Sequence, residues 1–168
     1  MQLLIVRHAI AEDQERFART GRSDDERPLT RGGRRRMARG ARGLRRTLPS
    51  IDLLAASPLV RAAQTAAIVA DAYGELARAE VEELRPTARY KDLLRWLRER
   101  SNADVIAVVG HEPHLSGLAT LLLTGKSDSV LELKKGAACL LRFDGDVGPG
   151  KAALRWALAP AQLRRLGR

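Results

Sequence analysis

Three short apolar runs in this chain each end on residues that prefer water. Residues 3–6 lead into Arg7-His8, and residues 53–56 lead into Ser57, with Arg61 one helical turn further on. Residues 106–109 lead into Gly110-His111. Two arginines and two histidines at neighbouring strand ends would form a small, strongly positive pocket. The planar guanidinium fork matches phosphoryl oxygens, and a helix opening at Ser57 adds amide donors and the positive end of a dipole. A neutral imidazole is a competent nucleophile toward phosphorus. The chain has no GxxxxGK[ST] phosphate loop and no His/Cys/Asp spacing suited to structural zinc. These residue types point to metal-free phosphoryl transfer through a phosphohistidine on His8.

Each residue alone has a plainer reading. Arg7-His8 suits an exposed strand terminus, His111 a capping or core histidine, and Arg61 a helix-surface arginine. Their joint placement after three strands of one topology favours the pocket, because ligands of open α/β sheets bind beyond the carboxyl ends of the strands.

The elements that must position them follow from periodicity and punctuation. Residues 2–6 predict a first strand, and the polar stretch 11–27 a long loop. Thr30 is the expected N-cap of an arginine-rich helix that stops before Pro49. Residues 51–56 predict a second strand, then a helix with Ser57 as N-cap, Pro58 as first helical residue and Gly74 as stop. Residues 80–84 predict a short third strand and 91–100 a helix with Leu93, Leu94 and Leu97 on one face. Residues 103–110 carry the strongest strand signal, and Pro113 and Gly125 bracket the helix after it. Residues 136–143 and 151–158 flank "DGDVGPG" as a β-hairpin. The alternation predicts an α/β fold over residues 1–168 as a single domain. It is a three-layer α/β/α sandwich with a mostly parallel central sheet and an antiparallel C-terminal hairpin.

The stretches "LLIVRHA", "ASPLVRAAQTA" and "VVGHEPHL", in that order, resemble the histidine phosphatase superfamily, whose fold is called phosphoglycerate mutase-like. "RPLTRGG", "EELRP" and the short chain are similar to its compact SixA-type phosphohistidine phosphatases. The resemblance implies that His8 becomes transiently phosphorylated, Arg7 and Arg61 clamp the non-bridging oxygens, and His111 hydrogen-bonds the transferring group. It implies no cofactor. Preplaced cations would stabilise the diffuse charge of the transition state. His8 must then act as an unprotonated nitrogen, with its other ring nitrogen donating to a backbone carbonyl. Ala9 departs from the superfamily's usual glycine. Glu83 is the positional candidate for a general acid, and a solvated acidic strand edge accounts for it equally well. Imidazole leaves far more readily than an alkoxide, since its conjugate acid has a pKa near ~6.5, so phosphohistidine hydrolysis can proceed without that acid. Ser57 is a cap first, close enough to the pocket to support it. His114 lies three residues after His111 without a third ligand, and Trp96 and Trp156 are read as packing.

Composition bounds the partners. The net charge is +10, and much of it falls on one amphipathic helix. There Met37, Ala41, Leu44 and Leu48 share a face with Gly33 and Gly40, opposite the arginines between 31 and 46. A solvated basic face explains this without nucleic acid, and aromatic residues make up 4% of the chain, too few for base-stacking platforms. The single Cys139 excludes an intramolecular disulfide and reads as core. No apolar run reaches the ~20 residues of a membrane span. The expectation is a cytoplasmic phosphatase whose partner is a phosphorylated protein of the histidine-phosphotransfer type. The alternatives are a phosphatase for a small ester such as a sugar or nucleotide phosphate, and a non-catalytic basic anion- or nucleic-acid-binding protein.

Overall fold

The computed structural model describes residues 1–74, 76–126 and 128–168. Strands and helices alternate from β1 (Gln2–Arg7) through α1 (Gln14–Ala18), α2 (Arg31–Thr47), β2 (Leu53–Ala56) and α3 (Val60–Tyr73) to β3 (Arg78–Glu80). The second half adds α4 (Tyr90–Arg98), β4 (Val105–Gly110), α5 (His114–Thr124), β5 (Ala138–Phe143), β6 (Ala152–Leu158) and α6 (Pro160–Leu166). Six strands form one sheet in the order β3-β2-β4-β1-β5-β6. The β1–β4, β2–β4 and β2–β3 pairs are parallel, whereas β1–β5 and β5–β6 are antiparallel.

The period-2 alternation of side chains divides the core. Leu4 and Val6 of β1 pack with Ala107 and Val109 of β4 under α2, α3 and α6, and Leu3, Ile5, Ile106 and Val108 pack under α4 and α5. Every residue of β4 is buried, as expected of an interior parallel strand covered on both faces. Thr30 caps α2 as predicted, its Oγ1 accepting from Gly33 N–H at 2.8 Å. Gly125 ends α5 in the left-handed region at φ 80°.

Four expectations are corrected. Residues 80–84 are not one strand: β3 stops at Glu80 because β2 offers no partner beyond Ala56, and a 3₁₀ turn, Glu82–Leu84, follows. That turn buries Val81 and Leu84, three residues apart, on the core. Ser57 is not the N-cap of α3, since its N–H still bonds the Val109 carbonyl at 3.0 Å and the cap passes to Leu59. The loop 11–27 contains α1 and a second 3₁₀ turn, Asp24–Glu26. Finally, the chain does not end on the hairpin. Pro160 opens α6, whose Leu163 docks on the glycines of α2.

That docking explains the glycines among the arginines. A Cβ on Gly43 would run into the Leu163 carbonyl, and one on Gly167 into the Arg39 carbonyl. Backbone therefore meets backbone between α2 and α6. Gly43→Val is expected to destabilise the fold by about 2 kcal/mol in urea unfolding, the usual scale of overpacking. A loss below about 0.5 kcal/mol, the range of an innocuous surface change, would contradict this packing.

Candidate active site

At the carboxyl ends of β1 and β4 the chain departs toward opposite faces of the sheet, β1 toward α2 and β4 toward α5. Adjacent strands with divergent exits leave a crevice between them. The parallel register sets Arg7 beside Gly110, and His8 N–H donates to the Gly110 carbonyl at 3.0 Å. His8 and His111 thus face each other with ring centroids 5.1 Å apart. Both are buried, with 5% and 2% exposure.

His8 Nδ1 lies 2.7 Å from the Ala9 carbonyl. A carbonyl can only accept, so Nδ1 carries the proton and Nε2 keeps its lone pair. Next, Ala9 N–H donates to Thr65 Oγ1 at 3.0 Å, and Thr65 Oγ1 donates to the Arg61 carbonyl at 2.7 Å. That relay ties the residue after His8 to the first turn of α3, where Arg61 projects. Ser57 Oγ lies 2.9 Å from His111 Nε2. Burying Ser57 completely while removing it from capping makes it a support for the imidazole.

Two arginines complete the hollow. Arg7 Nη1 donates to the Leu133 carbonyl at 2.6 Å. Arg61 Nη1 donates to the Asp24 carbonyl at 2.8 Å, and its Nη2 lies 3.0 Å from Asp24 Oδ2. Asp24 Oδ1 also accepts from Arg27 Nε at 2.7 Å, so one carboxylate bridges two buried guanidinium groups. Burial works to raise the Asp24 carboxyl. The Arg27 hydrogen bond and the Arg61 charge outweigh it and hold the group below the ordinary carboxylate value.

The imidazoles respond to the same field. Burial lowers His8 to about 4, against the Ala9 hydrogen bond and with help from Arg61, Arg7 and Lys135. Burial, then His8, Arg61 and His114, lower His111 to about 3, against Asp24. Three buried nitrogens, Arg7 Nε, Arg61 Nε and His111 Nδ1, have no hydrogen-bond partner among the described residues. Such groups are rare in folded proteins and call for an explanation. An anion with several acceptor oxygens would satisfy the two guanidinium N–H groups and, in its Nδ1–H tautomer, His111 as well.

Of the residues singled out in the sequence, the structure brings Arg7, His8, Arg61, His111 and Ser57 together. Glu83 is half-buried on the Glu82–Leu84 turn, whose Leu84 carbonyl approaches Gly110, yet its side chain makes no hydrogen bond or ion pair among the described residues. His114 instead stacks on Tyr90 at 4.9 Å. Among the described residues no group of three or more His, Cys, Asp or Glu side chains is placed to hold a metal ion. Sequence reasoning missed Asp24, Arg27, Thr65 and Lys135. The Arg27 signal was its place in "RPLTRGG"; Thr65 lies one helical turn beyond Arg61.

Depressed imidazole values bind stability to pH. Unfolding returns both groups toward 6.5, so the unfolded chain takes up more protons below that pH. Stability is therefore fully expressed above about 6.5 and declines as pH falls through about 4 and about 3. A ¹⁵N titration of the folded protein should find both rings neutral at pH 5.5, one unit below the ordinary value. Midpoints near 6.5 would contradict the buried arrangement.

Comparison with known proteins matches residues 3–86 to the model of the histidine phosphatase superfamily (branch 1). An uncharacterized protein of Picosynechococcus sp. is 33% identical over 144 residues, covering 84% of this chain and 85% of that protein. The structure of the protein histidine phosphatase SixA complexed with tungstate has a TM-score of 0.83 at 24% identity, covering 97% of this chain and 99% of that one. The alpha-ribazole phosphatase of Shigella flexneri has a TM-score of 0.71 at 20% identity, covering 95% and 97%. At these identities the two structures speak to the fold. With a family model spanning half of its residues and a relative at 33% identity over most of its length, the chain belongs to the histidine phosphatase superfamily.

Proposed function

We propose that this protein is a SixA-type phosphatase that takes a phosphoryl group from a phosphohistidine onto His8 Nε2 and then delivers it to water. The observation that carries the reading is the gathering of His8, whose Nε2 keeps its lone pair, with His111, Arg61 and Arg7, whose buried Nδ1 and Nε atoms have no partner among the described residues. In the first step the His8 Nε2–phosphorus bond forms as the substrate's nitrogen–phosphorus bond breaks, and the departing imidazole nitrogen takes a proton from solvent. In the second step water attacks the same phosphorus. The His8–phosphorus bond breaks, and the protons of water go to inorganic phosphate and the medium.

Arg7 and Arg61 supply the charge that stabilises the transferring group, and Asp24, shared with Arg27, aims the Arg61 guanidinium. Ser57 donates to His111 Nε2 in this reading, which leaves the His111 proton on Nδ1, toward the anion. The low pKa of His8, about 4, keeps the nucleophile unprotonated across the physiological range.

The preference for phosphohistidine over an ester rests on proton supply. Asp24, the carboxylate bonded into the cluster, is held ionised by two arginines, and no hydrogen bond ties Glu83 to the cluster among the described residues. An imidazole leaving group does without a dedicated acid, whereas an alkoxide does not. Hydrolysis of a small sugar or nucleotide phosphate with Glu83 as acid is the second reading, favoured by the position of the Glu82–Leu84 turn at the end of β4. A single buried cysteine, Cys139, accords with a reducing, cytoplasmic setting. No described helix is long and apolar enough to cross a membrane.

A side-by-side turnover assay with phosphohistidine, phosphoramidate and sugar phosphates, all in chelator, tests the reading. Nitrogen–phosphorus substrates should be hydrolysed undiminished by chelator, and His8→Ala should cost at least about a thousandfold while phosphate binding persists. Activity that disappears in chelator, or that survives His8→Ala, would reject the mechanism. Sugar phosphates turned over fastest, with a loss of about a hundredfold or more in Glu83→Gln, would establish the second reading instead.

A further inference from the structure

The phosphatase reading leaves the arginines of α2 unexplained. Eight of its seventeen residues are arginine, and its first turn has no acid. Arg42, Arg45 and Arg46, in its C-terminal half, have work within the chain. Arg45 Nη1 donates to the Ala72 carbonyl at 2.8 Å and Arg46 Nη1 to the Leu166 carbonyl at 2.6 Å, satisfying the last carbonyls of α3 and α6. Arg42 Nε reaches the Gly167 carbonyl at 3.4 Å. At that end of α2, cations also meet the negative pole of the helix dipole.

The N-terminal half differs. Arg31, Arg34, Arg35, Arg36 and Arg39 are exposed, and none forms an ion pair or side-chain hydrogen bond among the described residues. Arg31 and Arg34 stand in the first turn, at the positive pole of the dipole, where cations are disfavoured. The described acids that pair do so elsewhere, from Arg22–Glu26 to Arg142–Asp144. Like charges this concentrated, with no ion pair to any acid among the described residues, call for an anion from outside.

Their position says which kind. The start of α2 adjoins the crevice: Thr30 N–H bonds the Ile10 carbonyl at 3.0 Å, and Gly33 packs on that same carbonyl. A cleft lined by Ala9, Gly33, Arg36, Lys135, Gly136 and Arg164 adjoins the backbone of His8, whose carbonyl accepts from Gly136 N–H at 3.1 Å. The basic surface thus adjoins the site, its unpaired part from Arg31 to Arg39 running along α2 for about 12 Å at 1.5 Å per residue. Neither α2 nor α6 contains an aromatic residue on which a base could stack, and the exposed face of α2 has no large apolar side chain to enter a bilayer.

We propose that the N-terminal half of α2, with Arg164 and Lys135 at its edge, is the docking surface for an acidic protein that carries the phosphoryl group to His8. The proposal rests on the phosphatase reading and names where the partner sits. Charge on this surface would raise the encounter rate with an acidic carrier and leave the chemical step alone. A small anionic substrate, which makes no contact with this surface, would sense it far less.

The test uses the whole chain, its Arg35→Glu/Arg36→Glu/Arg39→Glu variant and the matching Gln variant. The substrates are phosphoramidate and two versions of one helical carrier protein bearing a phosphohistidine. One version keeps its acidic surface, and the other has the surrounding Asp and Glu changed to Asn and Gln. The Glu variant should lower kcat/KM for the acidic carrier by at least about tenfold, mainly through KM, with a smaller loss in the Gln variant. Phosphoramidate and the neutral carrier should be hydrolysed as before. In the parent chain, rising salt should slow the acidic carrier and spare phosphoramidate. Equal turnover of the acidic carrier by parent and variants, or a flat salt response in the parent, would overturn the proposal while phosphoramidate activity kept the phosphatase reading standing. Failure of the parent on every substrate would reject both. Tight duplex DNA binding lost in the Glu variant, with no discrimination between carriers, would assign the surface to nucleic acid and overturn the proposal as well.

Discussion

Packing a buried arginine, Arg61, and a half-buried one, Arg7, beside two buried histidines is the constraint on which the rest of the site depends. Removing a guanidinium from water is expensive unless it is paired and hydrogen-bonded, and the carboxylate bonded to this cluster is that of Asp24. One negative charge shared between Arg61 and Arg27 leaves the hollow strongly positive. Burial first, and these fixed charges second, deprive the imidazoles of their protons, His8 at about 4 and His111 at about 3. A neutral nucleophile among fixed cations is the electrostatic state that the proposed phosphoryl transfer requires. Here it follows from packing, with no separate base needed to create it.

The fold holds this state in place through the β1–β4 register. A slip of one residue would turn His8 away from Gly110 and exchange the two core faces, exposing Leu4 and Val6 to the wrong layer. Two hydroxyl groups carry the register outward to the helices. Thr65 couples the backbone after His8 to the Arg61 turn, and Ser57 couples the end of β2 to His111. Both are fully buried, so each hydrogen bond is made where water cannot replace it. Ala9 sits where the superfamily usually has glycine. It is buried, and its N–H and carbonyl both serve the site, one bonding Thr65 and the other His8.

Much of this was legible in the chain because strand ends are written locally. An apolar run that gives way to polar residues marks both an element and its exit, and three such runs located His8, Arg61 and His111. The backbone bond of His8 Nδ1, expected from the need for an unprotonated nitrogen, is present at Ala9. What could not be read depends on contacts distant in sequence. Asp24 looks like one acid in a charged loop until the fold carries it 37 positions along the chain to Arg61. Residues 80–84 read as a short strand, but β2 ends too early to pair with all of them, and Val81 and Leu84 are spaced for a 3₁₀ turn instead. The glycines of α2 weaken a helix by propensity, and their purpose emerges only when Leu163 arrives from the other end of the sequence. Ser57 was read as a cap from its neighbour Pro58, yet the sheet still claimed its backbone.

In the proposed site Arg7, Arg61 and His111 present nitrogens that have no partner among the described residues to a single anion held against His8. Tungstate, a tetrahedral oxyanion, titrated into ¹⁵N-labelled protein gives the most direct measurement. The Nε–H signals of Arg7 and Arg61 and the Nδ1 signal of His111 should move together, with one dissociation constant and one bound ion per chain. Separate binding curves for these three nitrogens, or signals that stay still while tungstate binds elsewhere, would contradict the account.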